Sequence, residues 1–331
     1  MAARAAAFSD PEVKAVLASS FVPLAENASY LQRQQDAEGD LFRLIAEQGH
    51  YGGRSEPTDT RQGMYACTAD GRLLASCNVH GADRLLPVLR RALARWAEAG
   101  PAPGPGSEGG TDARYLRQPP PQGLVLRVWS RDLPRDPGSD PRPDDWRRRA
   151  FNLDHAWFTA REAEALLPAP AVPGAVAPWP AGLARRLFRY HCIDNVRGEP
   201  PMWQPQECEA AEAEVCVRSV QAGRVWLSVS GQARLRGAAS WVDDWTRAAQ
   251  RSERGLDVSL QGDLEWDGAA GRFTRCELLA AGTRWGATQY NSRADDPGPA
   301  PIGWAFDLAD GTLPGDATPP QGVGAGYFAA D

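Results

Sequence analysis

The period of the apolar positions changes along the chain, from helical spacing in the first third to strict alternation toward the end. Val13, Val16 and Leu17 fall at helical spacing behind Ser9 or Asp10 as cap and Pro11 at the first helical position. Phe21-Val22-Pro23-Leu24 is a short apolar run that predicts a buried strand, with Pro23 telling against a central position. Ser29 to Gln48 returns to the helical period through Leu31, Leu41, Leu44 and Ile45. Gly52-Gly53 and Pro57 make Gly49 to Thr60 a loop. Gly63 to Val79 reads as a hairpin turning at Asp70-Gly71. Leu85, Leu89, Leu93 and Trp96 then mark another helix, in which Pro87 is tolerable only near the first turn.

Residues 100–122 break the pattern with runs of Pro and Gly, which predicts a linker between a first domain over 1–99 and a second over 123–331. The second part opens on a strand, Leu124 to Trp129, and a mixed α/β lead-in. There Asp144 to Leu167 is expected to be helical in part, Pro168 to Pro180 irregular, and Arg185 to Tyr190 helical or extended. From Ala210 onward short strands follow one another, among them Val225 to Val229, Leu256 to Leu260 and Leu264 to Trp266. Gly223, Asp267-Gly268 and Asp310-Gly311 punctuate them as turns. The expectation is a β-rich α+β domain, as a barrel or a sandwich.

Length and composition narrow the function classes. A chain of 331 residues has room for two domains, and a formal charge of −6 argues against nucleic acid as a partner. No apolar run approaches a membrane span, and Met1 to Phe8 is too short for the core of a secretory signal, so a cytoplasmic location is expected. The six cysteines form no Cys-x-x-Cys pair and match no zinc spacing, so they read as free thiols. No Gly-rich phosphate loop or nucleophile elbow appears, and no cofactor is implied.

Two segments carry a family resemblance: Asp10-Pro11-Glu12-Val13 through Phe21-Val22-Pro23-Leu24, and Gln62-Gly63-Met64-Tyr65-Ala66-Cys67-Thr68-Ala69-Asp70-Gly71-Arg72-Leu73-Leu74-Ala75. In their helix–strand–helix–hairpin–helix order they resemble the thioredoxin-like proteins. The resemblance implies an α/β thioredoxin-like domain over 1–99. It departs from the family where redox chemistry would sit. No cysteine precedes Asp10, and Arg61-Gln62-Gly63 stands where a cis-proline is usual. Cys67 and Cys77 lie on the two arms of the hairpin, on opposite faces for a loop of even length, and would not replace the missing pair.

The densest polar constellation is Tyr190-His191-Cys192-Ile193-Asp194-Asn195-Val196-Arg197-Gly198-Glu199, followed by Trp203. One reading makes His191 the activator of a Cys192 nucleophile. The other makes this a loop pinned by an Arg197–carboxylate pair. Asp194, Asn195, Arg197, Glu199 and Trp203 are the candidate ligand contacts, joined by Trp241 and Trp245 at i, i+4 as one face of an aromatic, Arg-bearing groove. A metal site joining His191 and Asp194 to Asp154 and His155 lacks helical His spacing, so no metal is expected. Arg284 and Arg293 are candidate anion contacts or turn residues, and Arg147-Arg148-Arg149 reads as a solvated, self-paired face.

Two functional expectations stand side by side. The first is a redox-silent thioredoxin-like protein that binds a small molecule or another protein. The second is a thiol-dependent enzyme built on one reactive cysteine near His191.

Overall fold

The computed structural model describes residues 7–8, 10–26, 28–52, 61–78, 81–100, 118–135, 150–242, 249–322 and 326–328. The chain divides into two units, Met1–Gln118 with Leu313–Pro319, and Pro119–Thr312 with Pro320–Asp331. The stretch expected as linker falls largely outside the described residues, at 101–117. No helix among the described residues is long and apolar enough to cross a membrane.

In the first unit, α1 (Pro11–Ser20) begins where the Asp10 carboxylate accepts from the Glu12 and Val13 N–H groups, at 2.9 and 3.1 Å. The apolar run behind it is not a strand. Residues 21–26 form no ladder, and Val22 and Leu24 are 96% and 82% exposed. Pro23 has no N–H to offer a neighbour.

The long helix expected over Ser29 to Gln48 is two, α2 (Ala28–Leu31) and α3 (Ala37–Glu47). Asp36 interrupts it by capping Gly39 N–H, and the buried Arg43 donates to the Gln34 carbonyl at 2.7 Å in the intervening turn. The hairpin forms as β1 (Met64–Cys67) and β2 (Leu73–Cys77), with Met64 opposite Cys77 and Cys67 opposite Leu73. The two cysteines therefore sit at opposite ends of it, Cys67 exposed and Cys77 buried. Helix α4 (Ala82–Ala99) closes a small core of Leu85, Val88, Leu89 and Ala92 against Val13, Leu74 and Ala75.

The second unit is built on one antiparallel sheet of eight strands. These are β3 (Leu124–Asp132), β4 (Phe151–Phe158), β5 (Val176–Pro178), β6 (Cys208–Gln221), β7 (Arg224–Val242), β8 (Ala249–Asp267), β9 (Arg272–Trp285) and β10 (Ala300–Leu308). They lie in the order β4-β3-β10-β9-β8-β7-β6-β5. Residues 151–158, expected within a helical stretch, pair with β3 instead. Only the short α5 (Ala160–Glu164) is helical there, begun by a capping box from Thr159 and Glu162. Trp241 likewise lies on β7 opposite Gln250, so the helical Trp face does not form; Trp245 lies outside the described residues.

Period-two alternation decides the faces. Leu126, Val215, Val229, Leu260, Leu278 and Phe306 point to one core, which α6 (Ala181–His191) completes with Leu183, Leu187 and Phe188. Helix α6 touches β4 at one end of the strand order and β6 near the other, so the sheet curls round it. Because β4 and β5 do not pair with each other, this is neither a closed barrel nor a two-sheet sandwich. A helix fills the space that closure would have used.

Candidate functional site

The residues singled out between His191 and Trp203 begin at the end of α6 and divide among separate parts of the second unit. His191 is the last residue of that helix. Its Nδ1 lies 3.0 Å from Asp154 Oδ2 and its Nε2 2.7 Å from the Tyr327 hydroxyl. One proton arrangement satisfies every group: Nδ1–H donates to Asp154, and the Tyr327 hydroxyl donates to Nε2 while accepting from Trp157 N–H at 3.1 Å. All three side chains are buried, and burial pushes the Tyr327 hydroxyl pKa up. Arg186 covers the assembly, its guanidinium 5.0 Å from the Tyr327 ring and held by Glu162 through two 2.8 Å hydrogen bonds.

Cys192 is not joined to that network. It is fully buried in the main core, and desolvation raises its thiol pKa far above the ordinary value. Both ring nitrogens of His191 are already engaged, so the geometry offers Cys192 no base. Trp203 packs beside it, donating from Nε1 to the Cys192 carbonyl at 3.0 Å, with the Arg254 guanidinium 4.1 Å from its ring.

Asp194 and Arg197 do converge, on an ionic cluster that sequence spacing does not reveal. Its centre is Arg293, fully buried, which donates to Asp132 at 2.6 and 2.8 Å and to Asp194 at 2.5 and 2.9 Å. Arg197 reaches Asp132 at 2.8 Å, and Arg284 reaches Asp296 at 2.5 Å. Asn195 accepts from Ser130 at 2.7 Å. Burial opposes the charge on Asp132, yet the hydrogen bond and field of Arg293, with Arg197 and Arg284, hold its pKa below the usual carboxylate value. At Asp194 burial pushes the carboxyl up against the pull of Arg293. Gly198 lets the two loops touch, because a Cβ there would lie 1.8 Å from the Tyr290 carbonyl oxygen. Glu199 is exposed and contributes only its N–H, to the same carbonyl at 2.9 Å.

All three guanidinium nitrogens of Arg293 are engaged by Asp132 and Asp194, while the buried Arg284 Nε has no hydrogen-bond partner. The cluster ties the end of β3, the segment after α6 and the loop between β9 and β10 into one unit. The pinned-loop alternative thus has its physical basis here, with Asp132 as the carboxylate. Asp154 and His191 are brought together as a hydrogen-bonded pair; among the described residues no group of three or more His, Cys, Asp or Glu side chains is placed to hold a metal ion.

Open space occurs elsewhere, on the outward face of the sheet. A trough of about 790 Å3 crosses β6 to β10. Its lining includes Ser228 and Ser230 on β7, Gln261 and Asp263 on β8, Leu279 on β9 and Ala305 on β10. Leu279 is 58% exposed. Register places Asp263 opposite Glu277 and Glu277 opposite Asp307, a row of carboxylates relieved at Glu277 by Arg275 and at Asp307 by Arg127.

Sequence reasoning did not find this trough. Alternating polar residues on a strand look the same whether they face bulk water or line a depression. It also missed Tyr327 and Asp132, whose partners lie far away along the chain. Comparison with protein-family models, with curated proteins and with solved structures finds no match for the chain.

Proposed function

We propose that the chain is a binding or interaction protein without dithiol chemistry, whose outward sheet face receives the ligand. The trough supports this reading. Its volume lies within the range of small-molecule sites, and hydroxyl, amide and carboxylate groups converge on it beside an exposed leucine. The groups that an enzyme of the thiol class would use are, by contrast, withdrawn. Cys192 is buried in the core and His191 is committed to Asp154 and Tyr327.

The test is hydrogen exchange of the full chain against monosaccharides, nucleotides and amino acids, compared with Ala305→Trp, which places a bulky side chain in the lining of the trough on β10. Protection of the β7, β8 and β10 amides by at least one compound, lost in Ala305→Trp, is the expected result. No protection by any of them, together with rapid alkylation of Cys192 in the folded protein at neutral pH, would overturn it for the thiol enzyme.

A further inference from the structure

We infer that the outward trough takes a linear oligosaccharide, a chain of neutral sugar rings lying across the strands; the inference rests on the trough being the binding site. Strand register sets two parallel rows of side chains on the outer face of the sheet. In one, Gln261 stands opposite Leu279, Leu279 opposite Ala305, and Ala305 opposite Trp129. In the other, Ser228 stands opposite Asp263, Asp263 opposite Glu277, and Glu277 opposite Asp307. Neighbouring strands lie about 4.8 Å apart, so the rows run for roughly 19 Å from β7 to β3. One monosaccharide cannot fill that length, and several joined rings can.

The first row turns apolar and ends on an aromatic platform. Trp129 remains 39% exposed although its Nε1 is fixed, donating at 2.9 Å to Asp307, a lining residue of the trough. That bond holds the indole in place, and the Phe151 ring lies 5.9 Å away, tilted by 41°. The C–H face of a sugar packs well on such rings and on Leu279, because an aromatic face is the negative side of the ring quadrupole.

The second row accepts hydrogen bonds. An ionised carboxylate is an acceptor only, and Asp263 receives no hydrogen bond among the described residues. Charge then selects a neutral ligand. Four carboxylates line the trough, Glu214, Asp263, Glu277 and Asp307, together with Arg218. Arg275 pairs with Glu277 at 2.6 Å and Arg127 with Asp307 at 3.1 Å, which leaves little net charge to hold a cation. Sugar hydroxyls donate to these oxygens without bringing charge, while the Gln261 amide and the Ser228 hydroxyl can both give and take.

The experiment titrates the full chain by calorimetry with cellohexaose, chitohexaose, xylohexaose and mannohexaose, each beside its monosaccharide, and with ATP and hexalysine. Hydrogen exchange locates the site. At least one hexasaccharide is expected to bind more tightly than its monosaccharide and to protect the β8 and β10 amides. Trp129→Ala should weaken that binding roughly tenfold, and Trp129→Phe, which keeps a ring, should recover most of the loss. Asp263→Ala removes an exposed acceptor and should weaken it by about the same factor. Protection of the trough by ATP or hexalysine but by no hexasaccharide would overturn the sugar class and leave the binding site standing. Protection by none of the probes would remove both. Hexasaccharide binding untouched by Asp263→Ala and by a folded Trp129 variant overturns the inference equally. If neither Trp129 variant folds, Asp263→Ala alone decides.

Discussion

The Nε2 of His191 lies 2.7 Å from the Tyr327 hydroxyl, joining the end of a helix to a residue near the end of the chain. Tyr327 is buried, and its hydroxyl also accepts from Trp157 N–H. Tyr327→Phe leaves that N–H and the His191 nitrogen without a partner in a place water does not reach. A buried polar group left unmade costs about 1–3 kcal/mol. The urea midpoint should fall accordingly, with little change in slope; an unchanged midpoint would mean the network contributes nothing.

Arg293 is shared between Asp132 and Asp194, so its loss strands two largely buried carboxylates at once. Arg293→Met is expected to be among the most damaging single changes, at roughly 3–5 kcal/mol. Arg197→Met should cost less, because Asp132 retains Arg293. Chemical denaturation of the two variants ranks them, and the reverse order would refute the central place of Arg293.

The cluster has a definite acid response. Asp132 titrates below its unfolded value, so its ionised form adds stability above about pH 4, and that stability is lost as pH falls through the folded pKa. Asp194, pushed upward, works in the opposite sense, which makes wild-type profiles ambiguous. The difference between wild type and Asp132→Asn isolates the first effect. It should be constant at neutral pH and shrink below about pH 4. A difference that grows on acidification would reverse the sign argued here.

Thiol reactivity should follow burial. Cys67 is exposed, while Cys77, Cys192 and Cys276 are buried, the latter two with thiol pKa values pushed far up by desolvation. Alkylation of the native protein read by mass spectrometry is expected to mark Cys67 first and to reach Cys192 only on unfolding. Cys67 itself should label faster with rising pH, since partial burial and the neighbouring Asp70 carboxylate raise its pKa. Fast labelling of Cys192 below pH 7 would restore the thiol-enzyme alternative.

Gly198→Ala probes the contact between the two loops. The new Cβ would meet the Tyr290 backbone, which cannot swing aside as a side chain can. Overpacking of this kind costs about 1–3 kcal/mol, and a melting temperature equal to wild type would show that the loops separate freely.

Local physics was legible from the residues alone. Asp10 with Pro11 starts a helix because a carboxylate and a missing N–H suit its first turn. Gly71 and Gly223 turn strands because glycine tolerates positive φ, and in the turn after Asp267 it is Gly271 that takes it. Alternation from Ala210 onward marked parts of β6, β7 and β8, because it reports which side of a strand is dry; Leu256 to Leu260 and Leu264 to Trp266 belong to one strand, and β9 and β10 were not picked out. Partnership was not legible. Phe21 to Leu24 has a strand's composition and no neighbour to pair with, whereas Phe151 to Phe158 has β3 beside it. Only the tertiary structure decided that Asp194 and Arg197 meet Asp132 and Arg293, and that His191 turns to Tyr327 instead of to the adjacent Cys192. The reason is physical: a buried charge or ring nitrogen takes whichever partner the packed backbone brings within about 3 Å, and sequence distance has no bearing on that.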